Sequence, residues 1–535
     1  MHLQRNGYRI YDHILKLGTG ISFAGHHRPS EICSVISSIK RFSTSKTRLS
    51  SPLPAIGTDN SLSDAKPFSE IPGPMGLPYI GTMLDYKLRP STYHKRLLQL
   101  HKRYGKIWKE TIAGNVIVHL MDPDMIRTVY DAEGKIPHIP PLQETTQKYR
   151  KEKEMSLGLG NTNGEEWYRL RSAVQQMMMR PKSVQDFLPL VQEVATEFVE
   201  RMVTTRDSHD EIPNFNKELG KWNLESSGAV VFFKRLGFLQ DQEILAEKML
   251  EANQQIFQLS CDLKFSLPLY KYISTPKWKR LVNAEDFFVG TVLKLIDETV
   301  AKVKERIEKK DLQADEYGFI TYLLSRSELD DKDVAIIALS LFADGLSTTV
   351  PVFIGNLYCL AANPEVQDKV FKEVSKVVPK EGPITTAMLG KLTYLKACVK
   401  EAFRFFPVGT EVSRIPQKDF VVGGYHIPAG THIELNNYVF LRSAHYFEEP
   451  DKFLPERWLR DGEGSARNVH PYVLLPFGHG PRMCAGRRFA EQDMWVLIAR
   501  LLQRYRIEYR HGQMEQIYRL LLRPDKPAQF AFVDR

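Results

Sequence analysis

Cys484 has the surroundings of a metal-binding thiolate. It lies in Phe477-Gly478-His479-Gly480-Pro481-Arg482-Met483-Cys484-Ala485-Gly486, which runs on into Arg487-Arg488-Phe489-Ala490. A glycine-rich loop therefore leads into a stretch with helical character. Free peptide N–H groups gather beside the sulfur there, and Arg482 adds a nearby cation. Gly478, Gly480 and Gly486 let backbone approach a bulky group closely. A thiolate in that setting suits the axial position of haem iron, where it donates electron density that favours O–O cleavage. The competing reading is a buried structural cysteine, the usual role of a lone one.

The same segment resembles the cytochrome P-450 signature F-x-x-G-x-R-x-C-x-G, matching every fixed position from Phe477 to Gly486. Trp167-x-x-x-Arg171, Glu401-x-x-Arg404 and Phe453-Leu454-Pro455-Glu456-Arg457-Trp458 resemble three further family motifs, in the family's order. The resemblance runs from Pro72 to beyond Pro524. It implies a mainly α fold, one large helical domain with a small β-rich region, and haem b as cofactor with Cys484 as the iron ligand. Phe477, Gly478 and Gly486 would belong to the cofactor loop. Trp167, Arg171, Arg414 and Arg482 match positions that meet the haem propionates, a planar task suited to guanidinium. Glu401 and Arg404 share a helix face, and by spacing alone would be a weak surface pair. The resemblance instead joins them to Arg457 in a structural network.

Residues 332–361 form an apolar run containing Leu341-Phe342-Ala343-Asp344-Gly345-Leu346-Ser347-Thr348-Thr349. The family form is A/G-G-x-acid-T-T/S. Gly345 and Thr348 match it, while Ser347 stands at the acid position. The resemblance makes Thr348, with Ser347 and a water chain, the catalytic proton path, since O–O cleavage consumes protons. Asp344, one turn before Thr348, can face the same side. Pro351 disfavours a straight helix by roughly 3 kcal/mol, so a distortion beside Thr348 is expected. The competing reading is a buried helix with satisfied hydroxyls.

Lys396, Lys400, Arg487 and Arg488 are similar to the basic residues with which mitochondrial members dock an acidic [2Fe–2S] ferredoxin. That ferredoxin is served by an NADPH-dependent reductase, and complementary charge raises the encounter rate. By resemblance the substrate pocket includes residues 136–149, Phe342, Ala343, Gly345, Val408 to Val412 and 518–522. This apolar lining suits a sterol or another flat lipophile. Residues 161–171 and 268–272 look similar to animal mitochondrial steroid hydroxylases, including ecdysteroid hydroxylases. The implied activity is an O₂-dependent, ferredoxin-fed monooxygenase. Xenobiotic oxidation, a haem-thiolate isomerase and a non-enzymatic haem binder are the alternatives.

The elements that must position these residues lie within 535 residues of ordinary globular composition, 43% hydrophobic and 26% charged. Five scattered cysteines argue against a disulfide framework. Residues 1–50 hold eight basic residues against Asp12 and Glu31, so they carry six of the chain's nine excess positive charges. The remainder is nearly balanced, which excludes a nucleic-acid reading. In the leader, Leu3, Ile10, Ile14, Leu17 and Ile21 fall opposite Arg5, Arg9 and Lys16 on a helical wheel. With the serines that follow, this reads as a mitochondrial transit peptide rather than a disordered tail. Residues 51–70 read as linker and 71–535 as the haem domain. No leader stretch reaches the ~18 apolar residues of a spanning anchor. The expected location is the matrix side of the inner mitochondrial membrane, with peripheral membrane association. Short strands are expected at 116–120, 420–422 and 432–435, with Gly423-Gly424 and Ala429-Gly430 as turns.

Overall fold

The computed structural model describes residues 64–309, 318–459 and 469–535. The transit-peptide reading and most of the expected linker fall outside those residues. The part of the linker that is described is tied down. The Lys66 N–H donates to the Gly424 carbonyl at 2.9 Å, and the Lys109 ammonium caps the Phe68 and Ser69 carbonyls at 2.6 and 2.9 Å. The fold thus begins a few residues earlier than expected, because backbone at a strand edge needs partners.

Strands β1 (Ile107–Ile112) and β2 (Asn115–Leu120) precede the main helices. These are α1 (Gly164–Met179), α2 (Leu188–Thr205), α3 (Phe215–Phe232), α4 (Glu243–Lys264), α5 (Asp331–Ala343) and α6 (Thr349–Ala362). Next come α7 (Thr393–Phe405), β3 (Val412–Arg414) and β4 (His432–Leu435). After the cysteine loop follow α8 (Arg487–Arg504) and the hairpin β5 (Gln516–Arg519) and β6 (Leu521–Pro524). The four-stranded sheet runs β1-β2-β4-β3, with β2 and β4 parallel and Val118 opposite Ile433. The turn glycines Gly423, Gly424 and Gly430 all take positive φ.

The main core centres on α3, which packs against α2, α4, α5 and α6, while α8 packs on α2. Trp222 of α3 is fully buried between the rings of Phe198 and Phe353. The stretch Asp331–Ala362 is long and apolar enough to cross a membrane, but most of it is buried in protein. Its apolar character reflects a helix surrounded on every side. Asp330 starts it with a capping box, accepting from the Asp333 N–H at 2.8 Å.

One charge inside this core has little to balance it. The Ser226 hydroxyl of α3 donates to the Asp493 carboxylate of α8 at 3.2 Å, and Asp493 Oδ1 has no partner. Burial pushes that carboxyl up to about 7. The folded protein therefore keeps a proton that the unfolded chain releases near pH 4. Stability should fall as pH rises from about 4 through about 7, by on the order of 1 kcal/mol per pH unit. Denaturant midpoints at pH 5 and pH 8 should show this slope in the parent and a flatter one in Asp493→Asn. An equal slope in both proteins would remove Asp493 as its source.

Candidate active site

Cys484 ends a loop with no regular secondary structure and precedes the first turn of α8. Its N–H donates to the Phe477 carbonyl at 2.8 Å, closing the loop. Gly478 and Gly480 take φ of 72° and 73°. The backbone N–H groups of Gly486 and Arg487 donate to the sulfur. A Cβ on Gly486 would stand 3.9 Å from it, at ordinary van der Waals distance. Among the described cysteines, Cys261, Cys359 and Cys398 are buried, and only Cys484 has substantial accessible surface.

That accessibility is internal. Cys484, Asp344 and Thr348 all keep accessible surface. Yet burial is the largest influence on two of them, raising the Cys484 thiol and lifting the Asp344 carboxyl to about 6. Accessible atoms crowded by protein line a chamber inside the fold. Asp344 and Cys484 lie close enough to affect each other electrostatically. A surface cleft of about 490 Å³ lined by Lys148, Lys153, Tyr272 and Trp278 contains none of these residues.

Desolvation raises the Cys484 thiol, and the peptide N–H groups of Gly486 and Arg487 act in the opposite direction. A coordinated metal cation is what ionises such a thiol. The cation that acts on the sulfur is Arg171, not Arg482.

Arg171, Arg414 and Arg482 sit close enough to repel, and burial with that repulsion pushes Arg482 down to about 9. Arg414 pairs with Glu133, which sequence reading missed, and reaches the His479 carbonyl at 3.4 Å. Arg482 donates to the carbonyls of Pro137, Leu159 and Thr162 and to the Asn163 side chain, over the ring of Trp167 at 4.1 Å. Arg171 is 7% exposed, bonds only the Met179 sulfur at 3.0 Å, and leaves Nε buried without a partner. Of the three guanidiniums only Arg414 pairs with a carboxylate, Glu133, which also acts on Arg482 at a distance. This excess positive charge beside an open sulfur fits a group with a Lewis-acidic metal and two carboxylates, as haem has.

The long helix breaks at the expected place. Asp344–Leu346 form a single 3₁₀ turn between α5 and α6, and Thr348 has φ −120° and ψ −61°. The Thr348 hydroxyl donates to the Asp344 carbonyl at 2.8 Å, replacing a helix bond. Pro351, in the first turn of α6, offers no N–H to the Ser347 carbonyl.

Most pocket candidates face elsewhere. Phe342 is fully buried against Phe232 and Phe238, and Ala343 belongs to the same core. A Cβ on Gly345 would meet Asn223 of α3 at 2.7 Å, so this glycine serves close helix approach. Val412 packs on the sheet's core, and Val408, half-buried, accepts from the Leu522 N–H at 2.8 Å. The resemblance marked these residues, but it could not say which face of the broken helix meets the chamber. The chamber side carries Asp344 and Thr348.

Glu401 anchors the approach to the loop. It is fully buried and accepts from Arg404 at 2.7 and 3.1 Å, Arg457 at 3.1 Å and the Trp458 indole at 2.8 Å. Arg404 and Arg457 spend their other donors on the carbonyls of Leu441, Glu448, Glu449, Pro450 and Lys452. The cations expected to dock a partner ride on this frame. Lys400 lies over Trp458 at 4.0 Å and Lys396 over Trp495 at 4.6 Å. Arg487 and Arg488 share Glu491 at 3.0 and 3.8 Å.

Residues 71–532 match the cytochrome P450 family. The chain belongs to that family. It is 44% identical over 475 residues to "Probable cytochrome P450 CYP44" of Caenorhabditis elegans, covering 87% of this chain and 94% of the relative. It is 33% identical over 516 residues to "Cytochrome P450 10" of Lymnaea stagnalis, covering 95% and 92%. It is 32% identical over 489 residues to "Cytochrome P450 302a1, mitochondrial" of Drosophila melanogaster, covering 88% and 96%. This cytochrome P450 is of the mitochondrial animal type, a haem-thiolate monooxygenase with a mainly helical fold. Family members bind haem b through a cysteine thiolate.

Glu401→Gln leaves two buried guanidiniums facing an amide. It should cost about 3–5 kcal/mol of stability and reduce haem content, as measured by urea denaturation and pyridine haemochrome assay. A variant as stable as the parent would refute the anchoring role.

Proposed function

We propose that this cytochrome P450 inserts one oxygen atom from O₂ into a sterol-like lipophile, using electrons from a mitochondrial [2Fe–2S] ferredoxin. The observation that carries the reading is the chamber holding Cys484, Arg171, Asp344 and Thr348 together. Cys484 would ligate the iron, and Arg171, Arg414 and Arg482 would hold the haem carboxylates. Haem with a thiolate ligand supplies dioxygen activation when bound. The chain's own residues then govern binding and protons. Thr348, pinned by its bond to the Asp344 carbonyl, holds a hydroxyl at the helix break. The Asp344 carboxyl, lifted by burial and restrained by Arg150, places an exchangeable proton one turn away. Asp344 thus supplies the acid that Ser347 lacks, and Ser347 adds a second hydroxyl on the same turn.

Electron delivery is assigned to the face of Lys396, Lys400, Arg487 and Arg488. Lys400 is exposed, and its ammonium is lowered first by desolvation and then by Arg487. An acidic partner relieves that repulsion. The mitochondrial location of the chain rests on relatives named as mitochondrial.

Reconstitution with NADPH, ferredoxin reductase and ferredoxin tests the scheme. Product should form with this pair, and a microsomal flavoprotein reductase should support far less. Thr348→Ala should lower product per NADPH several-fold and raise peroxide. Lys400→Glu should slow ferredoxin reduction by about tenfold at low salt, with the gap closing as salt rises. Equal turnover from the flavoprotein reductase would sink the partner assignment, and unchanged coupling in Thr348→Ala would remove Thr348 from the proton path.

A membrane-facing edge completes the proposal. Met75, Tyr79 and Leu88 are exposed, as are Leu269, Tyr272 and Ile273. The chain segments that carry them meet at the Tyr86–Phe265 ring contact at 5.3 Å. Exposed apolar groups in that number suit the surface of the inner membrane on its matrix side. Co-sedimentation with cardiolipin-containing vesicles should drop in Leu269→Ser/Ile273→Ser. Retained binding would assign the patch elsewhere.

A further inference from the structure

Arg150 is an interior cation with unused donors. It lies in the helix Glu144–Glu152. A guanidinium carries five N–H donors. Among the described residues Arg150 makes one hydrogen bond, from Nη1 to the Leu157 carbonyl at 2.7 Å, and no carboxylate pairs with it. Gly158 makes room for the group. A Cβ there would stand 2.9 Å from Arg150 Nη1 and 2.8 Å from Ile336 Cγ2, so the guanidinium lies against α5. Ile336 is two turns before Asp344 on one helix face. Side chains lean back along a helix, which tilts the Asp344 carboxyl toward the cation. Arg150 is the charged group that acts on Asp344.

A second carboxyl stands on the solvent side of Arg150. Glu285, in the helix Pro276–Lys309, is buried and acts on the same guanidinium. Thr146, one turn before Arg150, faces Glu285 Oε1 at 3.0 Å and Gln143 Oε1 at 2.8 Å. One hydroxyl hydrogen cannot serve both acceptors. Given to Gln143, it leaves the Thr146 oxygen to accept from a protonated Glu285. The next residue, Asp286, is exposed. It accepts from Tyr149 at 2.9 Å and pairs at 2.7 Å with Lys153, which lines the surface cleft. One cation and two carboxyls thus lie between that cleft and the chamber. Burial favours a single negative charge beside a single positive one, so the two carboxyls hold one proton between them. Arg150 keeps accessible surface although desolvation is its largest influence, so its unused donors face an internal space. Water there finds N–H donors and carboxylate acceptors, the partners a buried water needs.

We propose that Glu285 is the proton inlet of the active site, recharging Asp344 through waters held by Arg150. The Glu285 O–H breaks as a water takes its proton, and that water gives another proton to the Asp344 carboxylate. Glu285, left ionised, takes the next proton from the cleft side. Arg150 transfers no proton. It is a positioning residue that holds the waters and balances whichever carboxyl is ionised. The inference rests on the monooxygenase reading and adds a residue outside the chamber to it. O–O cleavage consumes protons, and with Ser347 at the acid position a single interior carboxyl must be recharged between turnovers.

The test uses haem-loaded full-length enzyme with NADPH, ferredoxin reductase, ferredoxin and added cholesterol. It reads NADPH consumption in H₂O and in D₂O, which needs no assigned product. Glu285→Gln should slow consumption about tenfold and enlarge the solvent isotope effect about twofold, because proton supply becomes the slow step. Glu285→Asp should recover most of the rate. Glu285→Gln combined with Asp344→Asn should be no slower than Asp344→Asn alone, since members of one relay are not additive. A purely structural role would lower haem content and rate but leave the isotope effect at the parental value. An unchanged rate or isotope effect in Glu285→Gln, or additive losses in the double variant, overturns the proposal. If Glu285→Gln fails to load haem, Arg150→Lys decides: it keeps the charge, loses the fork that holds the waters, and should show the same enlarged isotope effect, whereas a parental one overturns the relay. A parent lacking the red-shifted carbon-monoxide Soret band, or consuming no NADPH with the ferredoxin pair, would instead overturn the monooxygenase reading.

Discussion

A single buried carboxylate governs the part of this molecule that does chemistry. Glu401 has no access to water, so its charge is tolerable only if donors surround it. Two guanidiniums and an indole do so, and each guanidinium then reaches outward to backbone carbonyls between Leu441 and Lys452. That backbone forms no strand or long helix that could stiffen it. Its order comes from charge-assisted bonds to Arg404 and Arg457. The cysteine loop lies downstream of this frame, and Lys400 is seated on the same Trp458 that bonds Glu401. The ligand loop and the proposed docking face thus depend on one interaction.

The chamber above the loop is defined by groups that stay accessible although protein surrounds them. Sulfur, carboxyl and hydroxyl come together there from α5, the turn before α6 and the loop before α8. Around them the balance of charge is uneven. Of three neighbouring guanidiniums only Arg414 pairs with a carboxylate, Glu133, and Arg171 keeps a buried nitrogen without a partner. Such an excess is costly in a protein interior and makes sense where a ligand brings negative charge. The break in the long helix has a similar logic. Pro351 withholds a donor, Thr348 turns its hydroxyl back onto the Asp344 carbonyl, and the irregular turn leaves a carboxyl and a hydroxyl on the chamber side.

Much of this was legible from residue order. The cysteine motif and the helix distortion at Thr348 are local, carried by residue order and by proline's missing N–H, while the Glu401–Arg404–Arg457 set was legible only through the family resemblance. The strands at 116–120, 420–422 and 432–435 announced themselves through β-branched runs bounded by glycine turns. Because these signals are short in range, a linear reading captures them.

What only the tertiary structure decided is which groups look at one another. Phe342 and Gly345 sit in a run whose apolar character is the same all round, so periodicity could not separate the face toward α3 from the face toward the chamber. Arg171, not the nearer Arg482, acts on the sulfur, because the Arg482 donors are taken by carbonyls brought in from residues 137–162. Glu133 finds Arg414 across 281 positions. Charges that distant in the chain meet only after burial has removed water as the competing partner, and burial is a property of the packed fold.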